Sequence, residues 1–172
     1  MDAAALPYPE RRETPSSRVA MHVSRLSRQS RLRKNTSQNI ADGRDELYEI
    51  LSKKAEQVPL DKRIFTLTAP TGYGKTLAAL HFALKLRERV ARNGFTPRII
   101  YVAPYLSILD QNFETIAEAL GTSPEQSSAL LLHHHLAEMQ YQTSDYSRET
   151  FSSLDSELLI EGWNSEIIVT TF

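Results

Sequence analysis

The run Ala69-Pro70-Thr71-Gly72-Tyr73-Gly74-Lys75-Thr76 constrains this chain more than any other part of it. Two glycines one residue apart, followed at once by lysine and threonine, lie between a short β-branched segment, Arg63 to Thr68, and a long apolar-rich one that begins at Thr76. Glycine takes backbone conformations closed to other residues, so consecutive amides in such a loop can turn inward. The first turn of a following helix adds N–H groups with no partner inside the helix, together with the positive end of its dipole. The product is a cradle for phosphate. Lys75 is placed to reach the outer phosphates of a nucleotide, and the Thr76 hydroxyl to ligate magnesium, while Thr71, Gly72, Tyr73 and Gly74 line the cradle. The strict pattern starts on glycine, and here Ala69 holds that place. The bland alternative is a tight turn whose Gly-Lys-Thr is coincidental, but a strand before and a helix after are the context the motif requires. Tyr73 either stacks near a base or sugar or is simply tolerated between the glycines.

The remaining pattern places that loop in an α/β domain. Asp42 caps an expected helix that runs through Gln57, with Leu47, Ile50, Leu51 and Ala55 at helical spacing and Pro59 closing it. Arg63 to Thr68 reads as a buried strand. A core helix is expected from Thr76 to Arg92, stopped by Asn93-Gly94, and a strand over Ile99-Ile100-Tyr101-Val102. Leu106 to Leu120 fits another helix, with Ile108, Leu109, Phe113, Ile116 and Leu120 on one face and Gly121 beyond its end. Ser123-Pro124 reads as a helix start, 140–153 as a polar surface segment, Leu154 to Glu161 as a short helix, and Glu166 to Thr170 as a third strand. Strands alternating with helices make a parallel sheet with flanking helices. Phe172 directly follows an apolar strand, where a covering helix is still needed, so the fold is expected to be incomplete at the C-terminus and the chain to be a piece of a longer protein.

Composition sets the outer limits. A chain of 172 residues that is 41% hydrophobic and 24% charged is one domain's worth of material with enough apolar residues for a core. It has no cysteine, which excludes disulfide scaffolds, thiolate zinc sites and cysteine nucleophiles and suits a reducing cytoplasm. No apolar run approaches a membrane span and the N-terminus is not a signal peptide, so no membrane partner is expected. The net charge of -1 calls for no polyanion by itself. Between Thr14 and Ala41, however, there is no acid, while Arg18, Arg25, Arg28, Arg31, Arg33 and Lys34 all fall there. Residues 1–41 therefore read as a basic linker or arm that buries little, either solvated, packed on a missing neighbour or holding phosphate, and 42–172 as a partial folded domain.

Several further motifs carry a resemblance. Arg98-Ile99-Ile100-Tyr101-Val102-Ala103-Pro104-Tyr105-Leu106-Ser107-Ile108-Leu109-Asp110-Gln111-Asn112 resembles the second-strand motif of superfamily 2 helicases, in which alanine in place of the first loop glycine is also the usual form. Within that superfamily it looks like the CRISPR-associated helicase–nucleases of type I systems. Thr66 to Leu80 is similar to that family's nucleotide motif, Leu132-His133-His134 to its next landmark, and Glu161 to Thr171, with Trp163 ahead of a strand ending Val-Thr-Thr, to the one after. The ordered set spans about Arg44 to Phe172.

The resemblance implies a P-loop, RecA-like lobe, ATP with magnesium as cofactors, and hydrolysis coupled to movement along single-stranded DNA at a target opened by an RNA-guided CRISPR surveillance complex. It implies that Lys75 and Thr76 carry the nucleotide chemistry and that a polar side chain such as Arg44 reads the base. Nothing before Asp42 supplies the family's His-Asp nuclease site, so the chain carries no nuclease expectation; the Asp-Glu box is expected just beyond Phe172 and the completing arginines in the second lobe, so the isolated chain is expected at most to bind nucleotide weakly. Pro104, Tyr105, Ser107 and Gln111 become candidates for the DNA backbone, as does Thr171, against the alternatives that Tyr105 packs, Gln111 faces solvent and Thr170 is a buried strand residue. Trp163 reads as a packing anchor, Asp110 as a solvated acid, and His133, His134 and His135 as adjacent side chains that point in different directions, with no cysteine or ordered carboxylates beside them, and so are not expected to hold a metal. Other superfamily 2 helicases, restriction translocases and a non-catalytic nucleic-acid-binding remnant are the competing readings.

Overall fold

The computed structural model describes residues 15–32, 38–122, 129–134 and 165–171. Along the chain these form α1 (Ser16–Leu32), α2 (Gln38–Gln57), α3 (Lys75–Ala91), β1 (Ile99–Val102), α4 (Leu106–Leu120), β2 (Leu130–His133) and β3 (Ile167–Thr170). The three strands make one parallel sheet in the order β1-β3-β2. The last strand in sequence is thus the central one, with Ile168 opposite Ile100 on one side and Leu131 on the other. A central parallel strand has neighbours on both edges and needs cover on both faces, and all four residues of β3 are buried.

One apolar cluster joins the helices to one face of the sheet. Leu77, Leu80 and Leu84 of α3, Leu109, Phe113 and Ile116 of α4, and Ile167 and Val169 of β3 meet there, with Ile99 and Tyr101 packed at its edge. The alternation of β1 leaves Ile100 and Val102 on the other face, about half exposed. In α4, Leu109, Phe113, Ile116 and Leu120 are buried at the expected helical spacing, but Ile108 lies off that stripe and is exposed. Gly121 ends the helix in the left-handed region at φ 65°, where the Thr122 N–H bonds the Ala117 carbonyl at 3.1 Å and the Gly121 N–H bonds that of Glu118 at 3.2 Å.

Four points differ from the sequence reading, one of them a strand that the sequence had not marked. Arg63 to Thr68 is no strand: the segment has no regular structure, Ile64 is 78% exposed, and Phe65 is held edge-on by Phe82 at 5.3 Å. A strand exists through its ladder, and among the described residues none runs beside this one. Conversely, Leu130–His133 is a strand because β3 receives it, although its leucines and histidine carry no strong β signal. The third correction concerns α2, which starts at Gln38, so Asp42 lies inside it and is not its cap. The fourth concerns the basic segment. Residues 16–32 are no solvated linker but a helix whose Val19 and Val23, one turn apart, enter the core. The amide of Ser16 donates to Glu88 at 2.6 Å, Arg18 to the Leu120 carbonyl at 3.1 Å and Ser27 to Asp45 at 2.7 Å, so α1 is also tied to α3, α4 and α2 by polar contacts. Ser123-Pro124, the 140–153 segment, the Leu154 to Glu161 helix, Trp163, His135 and Phe172 lie outside the described residues.

Candidate nucleotide and nucleic-acid site

The loop of residues 69–74 delivers its two glycines in the conformations that the sequence demands. Gly72 has φ 87° and Gly74 has φ 72°, both in the left-handed region that disfavours any side chain. The Tyr73 N–H closes a turn on the Pro70 carbonyl at 3.4 Å, and the Gly74 carbonyl accepts the first helical bond of α3, from Ala78 at 3.0 Å. The helix therefore begins at Lys75 with no side-chain cap. Its first N–H groups remain available to a ligand, which is the situation in which an anion serves as the cap.

Lys75 and Thr76 stand at this opening in different states. The Lys75 ammonium folds back over the loop and donates to the carbonyls of Ala69, at 2.9 Å, and Pro70, at 3.2 Å. Among the described residues no carboxylate pairs with it, so its charge is partnered only by neutral carbonyl dipoles at an exposed position. The Thr76 hydroxyl, half-buried, donates to Asn112 Oδ1 of α4 at 3.2 Å. This donor set fits a triphosphate with magnesium: the amides of an uncapped helix start, one exposed ammonium and one hydroxyl.

Helix α2 shapes the outer wall. Arg44 Nε donates to the Gly72 carbonyl at 2.7 Å, which anchors the loop from outside. One residue earlier, Gly43 lies so close to the Tyr73 ring that a β-carbon there would stand 2.7 Å from the ring hydroxyl. Tyr73 is thus packed on α2. Deeper in the same interface, the Tyr48 hydroxyl donates to the Leu77 carbonyl at 2.9 Å, Ser52 bonds His81 at 2.7 Å, and the Tyr48 and His81 rings stack at 4.9 Å. Burial raises the Tyr48 phenol above its ordinary range and lowers the His81 imidazole, so both are neutral near pH 7.

The nucleic-acid candidates gather at the carboxyl ends of the strands, the side where open parallel sheets bind their ligands. The Ala103 N–H donates to the Thr170 carbonyl at 3.0 Å, which places the turn after β1 beside the end of β3. Pro104, Tyr105, Ser107 and Gln111 are exposed around the start of α4, with Tyr105 66% exposed, and Thr171 is half-buried at the end of β3. Thr170 is a buried strand residue whose hydroxyl lies 3.2 Å from both His133 Nδ1 and the Thr171 carbonyl. Asp110 Oδ1 is 3.8 Å from His134 Nε2. No group of three or more potential metal-ligating side chains occurs among the described residues.

Residues 43–171 match the family of DEAD/DEAH box helicases. The chain belongs to that family. Its small parallel sheet with flanking helices and a glycine loop leading into α3 is accordingly part of the RecA-like fold of these helicases. The helicase chain is also similar to the CRISPR-associated nuclease/helicase Cas3 of Haloferax volcanii, with 36% identity over 136 residues. That match takes in 74% of this chain and 14% of the relative, so the chain spans a small part of the relative's length. No helix among the described residues is long and apolar enough to cross a membrane.

Two contributors were not evident in the sequence. Asn112 closes the motif after β1 and flanks the buried stripe of Leu109, Phe113 and Ile116, but neither signal ties it to the nucleotide loop. Gly43, inside a helix where glycine is unfavourable, is the other.

Proposed function

We propose that the chain from residue 42 onward is the front of the first RecA-like lobe of an ATP-dependent DNA helicase of CRISPR antiviral defence, working in the cytoplasm. Its cofactors are ATP and magnesium, its track is single-stranded DNA, and its partner is an RNA-guided surveillance complex, a reading supported by membership of the helicase family and by similarity to a CRISPR-associated nuclease/helicase. The observation that supports this most is the continuous run from two left-handed glycines into the uncapped start of α3, with Lys75 and Thr76 as its first residues.

In this reading the loop amides hold phosphate oxygens and exclude water from them. Lys75 leaves its two carbonyl acceptors to neutralise the outer phosphates, and Thr76 offers its oxygen to the cation. Bound magnesium would spread the negative charge that phosphoryl transfer develops. Arg44 keeps the Gly72 carbonyl turned away from that charge. Tyr105, Ser107, Gln111 and Thr171 hold the DNA backbone, with Pro104 fixing the turn that presents them. Positioning and charge stabilisation supply most of the rate in such chemistry, and the groups named here belong to the positioning half.

Titration of the chain with a fluorescent ATP analogue and magnesium tests the reading. Lys75→Ala should weaken binding about 10–100-fold, the worth of a charge-assisted hydrogen bond of roughly 1.5–3 kcal/mol. Equal affinity in the variant would refute the assignment. Binding of single strands that is salt-sensitive yet indifferent to nucleotide would favour a non-catalytic DNA-binding module instead.

A further inference from the structure

The Thr76 hydroxyl has one proton, and Asn112 Oδ1 receives it. Where that proton points decides where the oxygen lone pairs point. An acceptor on a neighbouring helix therefore orients the oxygen that the proposed function assigns to the cation. We propose that Asn112 is a positioning residue that couples the nucleotide site to the nucleic-acid face of α4. The inference rests on that function but assigns a residue and a route it does not contain.

The route is short and stiff. Asn112 follows Gln111 directly and lies two helical turns, about 10 Å of rise, beyond Tyr105. Leu109 and Phe113 on either side of it are locked in the core, and the far end of α4 is closed by the Gly121 turn. A displacement at the start of the helix is therefore carried to Asn112 with little bending. Across the interface Thr76 sits in the first turn of α3, and the residues that follow it, Leu77, Leu80 and Leu84, are buried in the same cluster as Leu109 and Phe113. Beside these apolar contacts, the Thr76–Asn112 bond is a polar contact that a small shift of one helix start makes or breaks. A contact that is either made or broken is the kind of element that coupling between sites requires.

The test is a linkage measurement on the full chain. The dissociation constant of a fluorescent ATP analogue is determined in magnesium, with and without saturating oligo(dT). The wild type should show a ratio of at least about 5, the low end of ordinary coupling between sites. Asn112→Ala should bring the ratio close to 1, while Asn112→Asp, which retains an oxygen acceptor at the same place, should hold it above about 3. Asn112→Leu, similar in volume and without an acceptor, replaces Asn112→Ala should that variant fail to melt cooperatively. A purely structural role would lower the melting temperature and leave the ratio in place. An unchanged ratio in the variant lacking the acceptor, or a wild-type ratio of 1, overturns the inference alone. Absence of any nucleotide binding by the wild type overturns the functional reading and this one with it.

Discussion

Arg87 of α3 and Glu166, immediately before β3, form an ion pair at 2.7 Å with side chains only 5% and 3% exposed. The pair pins the C-terminal part of the nucleotide helix to the base of the central strand, far from the phosphate loop. A buried pair of this kind contributes little net stability over apolar residues of the same size, yet it is costly to break, because the surviving charge loses its counter-ion in a site shut off from water. Arg87→Met or Glu166→Leu alone should therefore lower unfolding stability by about 3–5 kcal/mol in urea melts, whereas the double variant should recover most of that loss. Additive losses in the double variant would show that the two side chains act separately.

The contact between Gly43 and Tyr73 makes an opposed pair of predictions. Alanine in place of glycine inside a helix is favourable by about 1 kcal/mol. At Gly43, however, the added carbon occupies space held by the tyrosine ring, which must move away from α2 and carry the Gly72–Gly74 turn with it. Gly43→Ala should thus leave the melting temperature near or above that of the wild type while weakening ATP-analogue binding about 5–10-fold, a loss of the order expected from coupled packing. Replacing Tyr73 by serine in the same chain removes the collision and should restore most of the affinity. Weaker binding with no rescue would place the effect elsewhere in α2.

Much of this arrangement could be read from the chain because its causes are local. Gly121 terminates α4 where a periodic stripe stops, Ile99 to Val102 is β-branched enough to be a strand, and the turn at Gly72 and Gly74 depends on the conformational freedom of those two residues alone. What stayed hidden depends on partners. Leu130–His133 is a strand only because β3 lies beside it, while the more β-prone Ile64-Phe65-Thr66 has no such neighbour among the described residues. In α1, Val19 and Val23 are one turn apart but surrounded by Ser and Arg, so their stripe emerges only once α3 and α4 are present to cover it. The polar brace of the site is likewise non-local: Asn112 reaches Thr76 across 36 residues, and Arg44 reaches Gly72 across 28.

The interface between α2 and α3 should make stability depend on pH through His81. The ring is 2% exposed, stacked on Tyr48 and bonded to Ser52. Burial lowers its pKa from 6.5, and the Lys85 ammonium adds to that, while a hydrogen bond from the ring to the Ser16 backbone and the Glu88 carboxylate pull the other way. A group whose pKa is lower in the folded state binds its proton more readily when unfolded. The stability it contributes is therefore complete above pH 6.5 and is lost as the pH falls through 6.5 toward the folded value. His22, also lowered chiefly by burial and then by Arg25, acts in the same direction. Urea melts at pH 7.5 and 5.5 should show wild-type stability falling over this window, with His81 supplying at most about 1.4 kcal/mol per pH unit. His81→Gln keeps a polar atom for Ser52 and removes the titration, so the variant should lose correspondingly less over the same interval. The difference between the two slopes isolates His81 from every carboxylate and from His22, and equal slopes would mean that the imidazole is solvated rather than enclosed between the helices.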